Sequence, residues 1–171
     1  VRAEANRAVI EIDGEIESYF NSSSEFKRQI QALLDQGITD AHVYINSGGG
    51  NVFEANQIVN EINRFPGTVT GEGGAVVASA ATYIAINLSH FTMARNGSFM
   101  VHKPSRYFSR TTNEIDSKIQ LLRNLESSYL KAYAEKTGKS EDDIRAKWDK
   151  GDRWMTAQEC LDDGFIEGIT G

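Results

Sequence analysis

The sequence predicts an α/β fold in which strands are joined by short helical crossovers. Runs of strand length and capped helical repeats alternate through the first half of the chain. Only two prolines occur, Pro66 and Pro104, and neither sits in a hinge-like stretch. A single long apolar stripe from Ile115 to Tyr129 marks one extended helix in the second half. No linker, repeat or low-complexity run divides the 171 residues, so residues 1–171 are expected to form one domain.

The elements follow in order. "RAVIEIDGEI" alternates and reads as a strand ending in a turn at Asp13-Gly14. "SSSEFKRQIQALLDQG" reads as a helix: Ser22 and Glu25 have capping-box spacing, Phe26, Ile30, Leu33 and Leu34 share a face, and Gly37 closes it. "DAHVYIN" is a short strand of buried type. "SGGGN" leads into a helix with Val52, Ala55, Ile58, Val59 and Ile62 inward, stopped at Pro66-Gly67. "TVTGEGGA" is a strand that breaks into glycines before Ser79, and a helical run follows from Ala80 to Ile86. "HFTMARNGSFMVH" reads as two short strands around a turn at Asn96-Gly97. A long helix spans about 111 to 137, with Ile115, Ile119, Leu122, Leu125 and Tyr129 on one side and Gly138 at its end. Its long stripe and large charged side suit packing on another subunit. A short helix follows Ser140, and "TAQECLDDG" repeats the capping-box signature at Thr156 and Glu159, with Gly164 as stop.

Charge narrows the function classes. With 24 Asp+Glu against 18 Lys+Arg the net charge is -6, and the basic residues are scattered, which argues against a nucleic-acid or anionic-membrane surface. No apolar run reaches the roughly 20 residues a membrane span needs. The single cysteine, Cys160, forms no internal disulfide and fits a reducing compartment, so the expected location is cytoplasmic. The chain opens at Val1 without a methionine.

Four places carry candidate chemistry, each with a plainer reading beside it. Ser79 stands among small residues where a Gly-rich strand passes into a helix; it is a helix N-cap or an exposed nucleophile. The segment is not a G-x-S-x-G elbow, since residues 77–81 read Val-Ala-Ser-Ala-Ala. His102 ends the strand "SFMV", where sites collect in α/β folds, or is a turn histidine. His42 and His90 look structural. In "SGGGN", residues 47–51, three glycines let backbone N–H groups turn toward a phosphate or an oxyanion, or form a flexible turn. No Gly-Lys-Ser/Thr follows, so it is not a Walker loop. Asp152 accepts a histidine Nδ1–H or is a solvated loop acid, with Asp149 and Asp162 as rivals of the same type.

Taken together, these segments resemble the ClpP family of serine peptidases over nearly the whole chain. "YINSGGG" (44–50) is similar to the family's Tyr-Ile-Asn-Ser-Pro-Gly-Gly, with Gly48 in the proline's place; "ASAA" (78–81) resembles Ala-Ser-Met-Gly/Ala. "NGSFMVHKP" (96–104) resembles Asn-Ser-Arg-x-Met-x-His-Gln-Pro, and "DRWMTAQECLDDGFIE" (152–167) resembles Asp-Arg-x-Met/Leu-Ser-x-x-Glu-Ala-x-x-Tyr-Gly-Leu-x-Asp. The resemblance implies a ClpP/crotonase-like fold of stacked ββα units with a protruding handle helix, the handle region being about 105–138. It implies Ser79 as nucleophile, His102 as general base and Asp152 as its orienter, with the oxyanion held by the N–H groups of Gly50 and Ala80. It places Gly49, Arg106 and Phe108 beside the substrate, and it calls for neither cofactor nor metal. The implied partners are a peptide or unfolded protein substrate, further copies in a heptameric ring, and a Clp-type ATPase.

The handle strand departs from the family's Gly-rich pattern, since "SRYFSRTT" (105–112) is bulky and basic. This and the short N-terminal segment point to the phage or prophage branch, with capsid or portal proteins as partners. If the face carrying Arg106 and Arg110 lines the substrate channel, acidic peptides are expected to be preferred. The alternatives are a catalytically idle assembly protein of the same fold, a crotonase-type acyl-CoA enzyme, and a Ser-Lys protease using Lys103.

Overall fold

The computed structural model describes residues 2–4, 7–105 and 112–171. Strands β1 (Arg2–Glu4) and β2 (Arg7–Asp13) pair antiparallel, and Ile10 and Ile12 face the core while Glu11 and Asp13 are exposed. Helix α1 (Ser23–Asp35) starts where Ser22 Oγ accepts the Glu25 N–H. Only half of the expected capping box forms, because the Glu25 carboxylate accepts from Arg28 and Gln29 instead. Strand β3 (Asp40–Ser47) follows, then α2 (Val52–Arg64), capped by the Asn51 side chain and buried through Ala55, Ile58, Val59 and Ile62.

Strand β4 (Thr68–Ala78) differs from expectation. It runs unbroken through its glycines for 11 residues. The Leu88 side chain and the Val43 carbonyl press on Gly71, so the missing Cβ lets the strand pass its neighbours rather than ending it. The break comes at Ser79, ahead of α3 (Ala80–Ile86). Strands β5 (Phe91–Ala94) and β6 (Ser98–Val101) flank Asn96-Gly97 as expected, yet they do not form a hairpin with each other. Both lie parallel to β4, β5 beside Gly71–Gly73 and β6 beside Val76–Ala78, so the turn carries the chain from one stretch of β4 to the next.

Helix α4 (Thr112–Thr137) is followed by α5 (Glu141–Trp148), capped by Ser140 Oγ. Strand β7 (Arg153–Thr156) leads into α6 (Ala157–Asp163), where the Thr156–Glu159 capping box is complete, and β8 (Gly168–Thr170) ends the chain. The sheet order is β1-β2-β3-β4-β5-β8, parallel from β2 onward; β6 branches from β4 and carries β7 antiparallel. Helices α1 to α5 pack in succession along the sheet. The α4 stripe divides: Leu125, Tyr129, Leu130 and Tyr133 are buried, while Ile115 and Ile119 are 37% and 36% exposed. Among the described residues no helix is long and apolar enough to cross a membrane, and no cluster of His, Cys, Asp and Glu has metal-ligand spacing.

Candidate active site

Backbone pairing brings Ser79 and His102 together. Ala78 is in register with Met100, and the Ser79 N–H donates to the Met100 carbonyl at 2.9 Å. Two residues on, and therefore on the same strand face, His102 leaves β6 with Nε2 2.7 Å from Ser79 Oγ. Strand β7 supplies the third group. Val101 faces Arg153 across the β6–β7 ladder, so the next pair outward is His102 and Asp152. The His102 Nδ1–Asp152 Oδ1 distance is 3.3 Å, and the Asp152 side chain is 58% exposed. That distance is longer than the ~2.8 Å of a tight charge-assisted bond, as is common before substrate closes a site.

The rivals are engaged elsewhere. Lys103 forms an ion pair with Asp149, which raises the lysine's pKa. Asp162 accepts from Gln158 Nε2 at 2.8 Å. His42 contacts Thr70 Oγ1 at 2.9 Å inside the sheet, and His90 lies just ahead of β5.

Ser79 is the residue before α3, yet its side chain makes no capping bond. Its backbone lies at φ 54 and ψ -127, a region that a residue with a Cβ adopts only under constraint. A plain N-cap has extended backbone and spends its hydroxyl on the helix. Here the hydroxyl is turned to the His102 imidazole.

Two of the three glycines, Gly49 and Gly50, meet the site in different ways. The Gly49 N–H donates to buried Ser47 Oγ at 3.0 Å and its carbonyl accepts from Ile16 N–H at 2.9 Å, so its backbone groups are both committed. Gly49 enters the site through its missing Cβ: at φ +96, a Cβ there would lie 2.7 Å from Ser79 Cβ and 2.9 Å from the Ala80 nitrogen. Gly50 is bridged to Ile16 and lies at φ +142, and it borders the same cleft as Ser79. That cleft, of about 150 Å³, is also lined by Val52, His102, Pro104 and Tyr129. Arg106 and Phe108 lie outside the described residues.

A hydroxyl in contact with an imidazole, with a carboxylate on the far nitrogen, is an arrangement able to activate a nucleophile. The order Ser, His, Asp and the strand ends that carry them can be set against known proteins. A family model described as Clp protease matches residues 3–171. The chain belongs to the Clp protease family.

This Clp-family chain is 30% identical over 132 residues to an "ATP-dependent Clp protease proteolytic subunit 1" of Leifsonia xyli subsp. xyli; the match covers 76% of this chain and 66% of that protein. It is 30% identical over 166 residues to an "ATP-dependent Clp protease proteolytic subunit" of Streptococcus agalactiae, covering 94% of this chain and 83% of the relative. Among solved structures, a ClpP1 point mutant from Listeria monocytogenes superposes with a TM-score of 0.84 at 26% identity, over 95% of this chain and 90% of that one. The expected α/β ClpP fold is therefore the fold observed, and the chain is ClpP-like.

Sequence reasoning missed three hydroxyls around the Clp-family site. Ser47 holds Gly49, while Thr82 and Tyr133 lie behind Ser79. Nothing local marks any of them, because each acts through a contact the fold creates.

Proposed function

We propose that the protein is a serine endopeptidase in which Ser79, His102 and Asp152 act as a triad. The observation that carries this reading is the 2.7 Å contact between Ser79 Oγ and His102 Nε2 at a strained turn. In the productive tautomer Ser79 donates to Nε2, and the Nδ1–H donates to Asp152. His102 takes the hydroxyl proton as Oγ attacks the scissile carbonyl. The resulting oxyanion accepts from the Gly50 and Ala80 N–H groups. The imidazolium then gives its proton to the leaving amine, and the acyl group stays on Ser79. Water repeats the sequence: His102 takes its proton, the oxyanion forms again, and Ser79 leaves with the proton restored.

The relatives, named as protease proteolytic subunits, support peptide or unfolded protein as the substrate class, cut inside a homo-oligomeric ring. The names of the relatives support coupling to a Clp-type ATPase; a role in phage capsid maturation remains a narrower form of the same proposal.

The test is covalent labelling. A fluorophosphonate is expected to add to Ser79 and to no other serine, shown by peptide mass mapping, and His102→Ala is expected to slow that labelling by several orders of magnitude. Labelling should also weaken as pH falls, because a protonated imidazole has no lone pair for the serine proton. Label on a different serine, or full labelling of His102→Ala, would remove the triad from consideration.

A further inference from the structure

Behind Ser79 lies a buried chain of hydroxyls. Thr82 is three residues further along α3 and fully buried, and its Oγ1 is 2.6 Å from the Ser79 carbonyl oxygen. The same Oγ1 is 2.6 Å from the hydroxyl of Tyr133, which is 1% exposed and belongs to α4. The direction of these bonds follows from counting protons. A carbonyl oxygen only accepts, so the one hydroxyl hydrogen of Thr82 goes to Ser79, and Tyr133 must donate to Thr82. Burial pushes the Tyr133 phenol pKa far up, which keeps it a donor. Its ring is packed edge-on against Tyr129, Trp148 and Phe165, at centroid distances of 6.1, 6.1 and 5.8 Å.

The Ser79 carbonyl and the Ala80 N–H belong to one peptide unit. That unit is planar and trans, so the two groups point in opposite directions. Whatever holds the carbonyl inward aims the N–H outward. The φ and ψ of Ser79 are costly for a residue with a side chain, so the orientation has to be imposed from outside. The Thr82 N–H already gives the same carbonyl one bond, at 3.0 Å. The hydroxyl chain adds a second, anchored in another helix.

The geometry points to Thr82 and Tyr133 as positioning residues that aim the Ala80 N–H at the oxyanion, making the strength of that hole depend on how α4 is seated. This rests on the reading of Ser79 as nucleophile and Ala80 as oxyanion donor. It goes beyond that reading by tying catalytic power to the seating of α4.

The experiment uses the intact assembled protein and four variants: Thr82→Val, Thr82→Ser, Tyr133→Phe and Ser79→Ala. Four quantities are measured: the second-order rate of fluorophosphonate labelling, kcat and KM on a fluorogenic peptide amide, and the inhibition constant of a peptide boronate. Thr82→Val is expected to lower labelling rate and kcat about 10- to 100-fold, with KM changed less than about twofold. Boronate affinity should fall by a similar factor, because the boronate adduct also uses the hole. Tyr133→Phe should lose about 3- to 10-fold in the same pattern, and Thr82→Ser should recover most of the rate. The shape of the pH profile should stay the same, since the Ser79–His102 contact is untouched.

If the variants lose melting temperature but keep kcat and boronate affinity, the hydroxyl chain is only structural and the proposal is wrong. A loss of kcat without a parallel loss of boronate affinity also overturns it. Should Thr82→Val fail to assemble, Tyr133→Phe decides alone, since it removes one buried oxygen and leaves the inner bond. Full labelling of Ser79→Ala would instead show that the underlying nucleophile assignment is at fault.

Discussion

Ser79 is held by its neighbours on every side. Its N–H is bound to Met100, its carbonyl to Thr82, and Gly49 packs against its Cβ. This makes Gly49 a sharp test. In Gly49→Ala the new methyl would meet Ala78 O and Ser79 Cβ at 2.7 Å, both in the turn that holds the proposed nucleophile, and φ +96 adds strain. Fluorophosphonate labelling is expected to fall at least about 100-fold, consistent with the sensitivity of catalysis to small misplacements. A labelling rate near that of the parent would show that the turn tolerates the shift. The acid is tested in the same way. Asp152 contacts Nδ1 whereas Asp149 is paired with Lys103. Asp152→Asn is expected to lose up to about 10⁴-fold in kcat with assembly intact, and Asp149→Asn far less. A reversed ranking in peptide cleavage would assign the orienting role to Asp149.

At the scale of elements, one carboxylate ties three segments together. Asp163, at the end of α6, binds Lys139 before α5 and Arg153 on β7, with Lys147 of α5 at 3.5 Å. Burial alone would raise the Asp163 pKa; the bonds from Lys139 and Arg153 and the charge of Lys147 overcome it and bring it down to about 2. Arg153 is the residue after Asp152, so this knot also fixes the strand next to the proposed orienting acid. A depressed carboxylate pKa means stability that is present at pH 7 and lost as pH falls from about 4 toward about 2. The linkage is worth about 2 kcal/mol. Asp163→Asn is therefore expected to lower the unfolding free energy by about that amount at pH 7. It should also flatten the acid limb of the stability profile, measured by urea titration at a series of pH values. A variant with an unchanged acid limb would refute the linkage.

At the scale of the molecule, α4 serves two environments. Its C-terminal half is core, built on Tyr129, Leu130 and Tyr133, while Ile115 and Ile119 face outward from the N-terminal half. The helix is about 39 Å long at ~1.5 Å per residue, so its two ends reach different surroundings. The exposed isoleucines lie one turn apart, and we propose this apolar strip as a contact with another copy in the proposed ring. Replacing both Ile115 and Ile119 with Asp is expected to shift the particle mass in light scattering toward smaller species, with the melting temperature of the core changed little. Retention of the parent's mass would place the subunit contacts on other surfaces.

Local rules made most elements legible in the sequence. The caps at Ser22 and Thr156 are read within four residues, and helix ends follow from the same short range. The nearness of Ser79, His102 and Asp152 was legible only through the ordered motifs, since each residue alone has a commoner reading. Other features needed the tertiary structure. Whether β5 and β6 pair with each other or with β4 depends on a shared neighbour that no turn signal encodes. The division of labour between Gly49 and Gly50 depends on Ser47 and Ile16, which reach them from outside the glycine run. The contact between Thr82 and Tyr133 joins residues 51 positions apart. Most helices and the longer strands follow from the sequence, because caps and turns act between near neighbours and strand signals lie in the alternation along one segment. Which hydroxyls and glycines border the site was settled by the tertiary structure, because their positions are set by packing between segments distant along the chain.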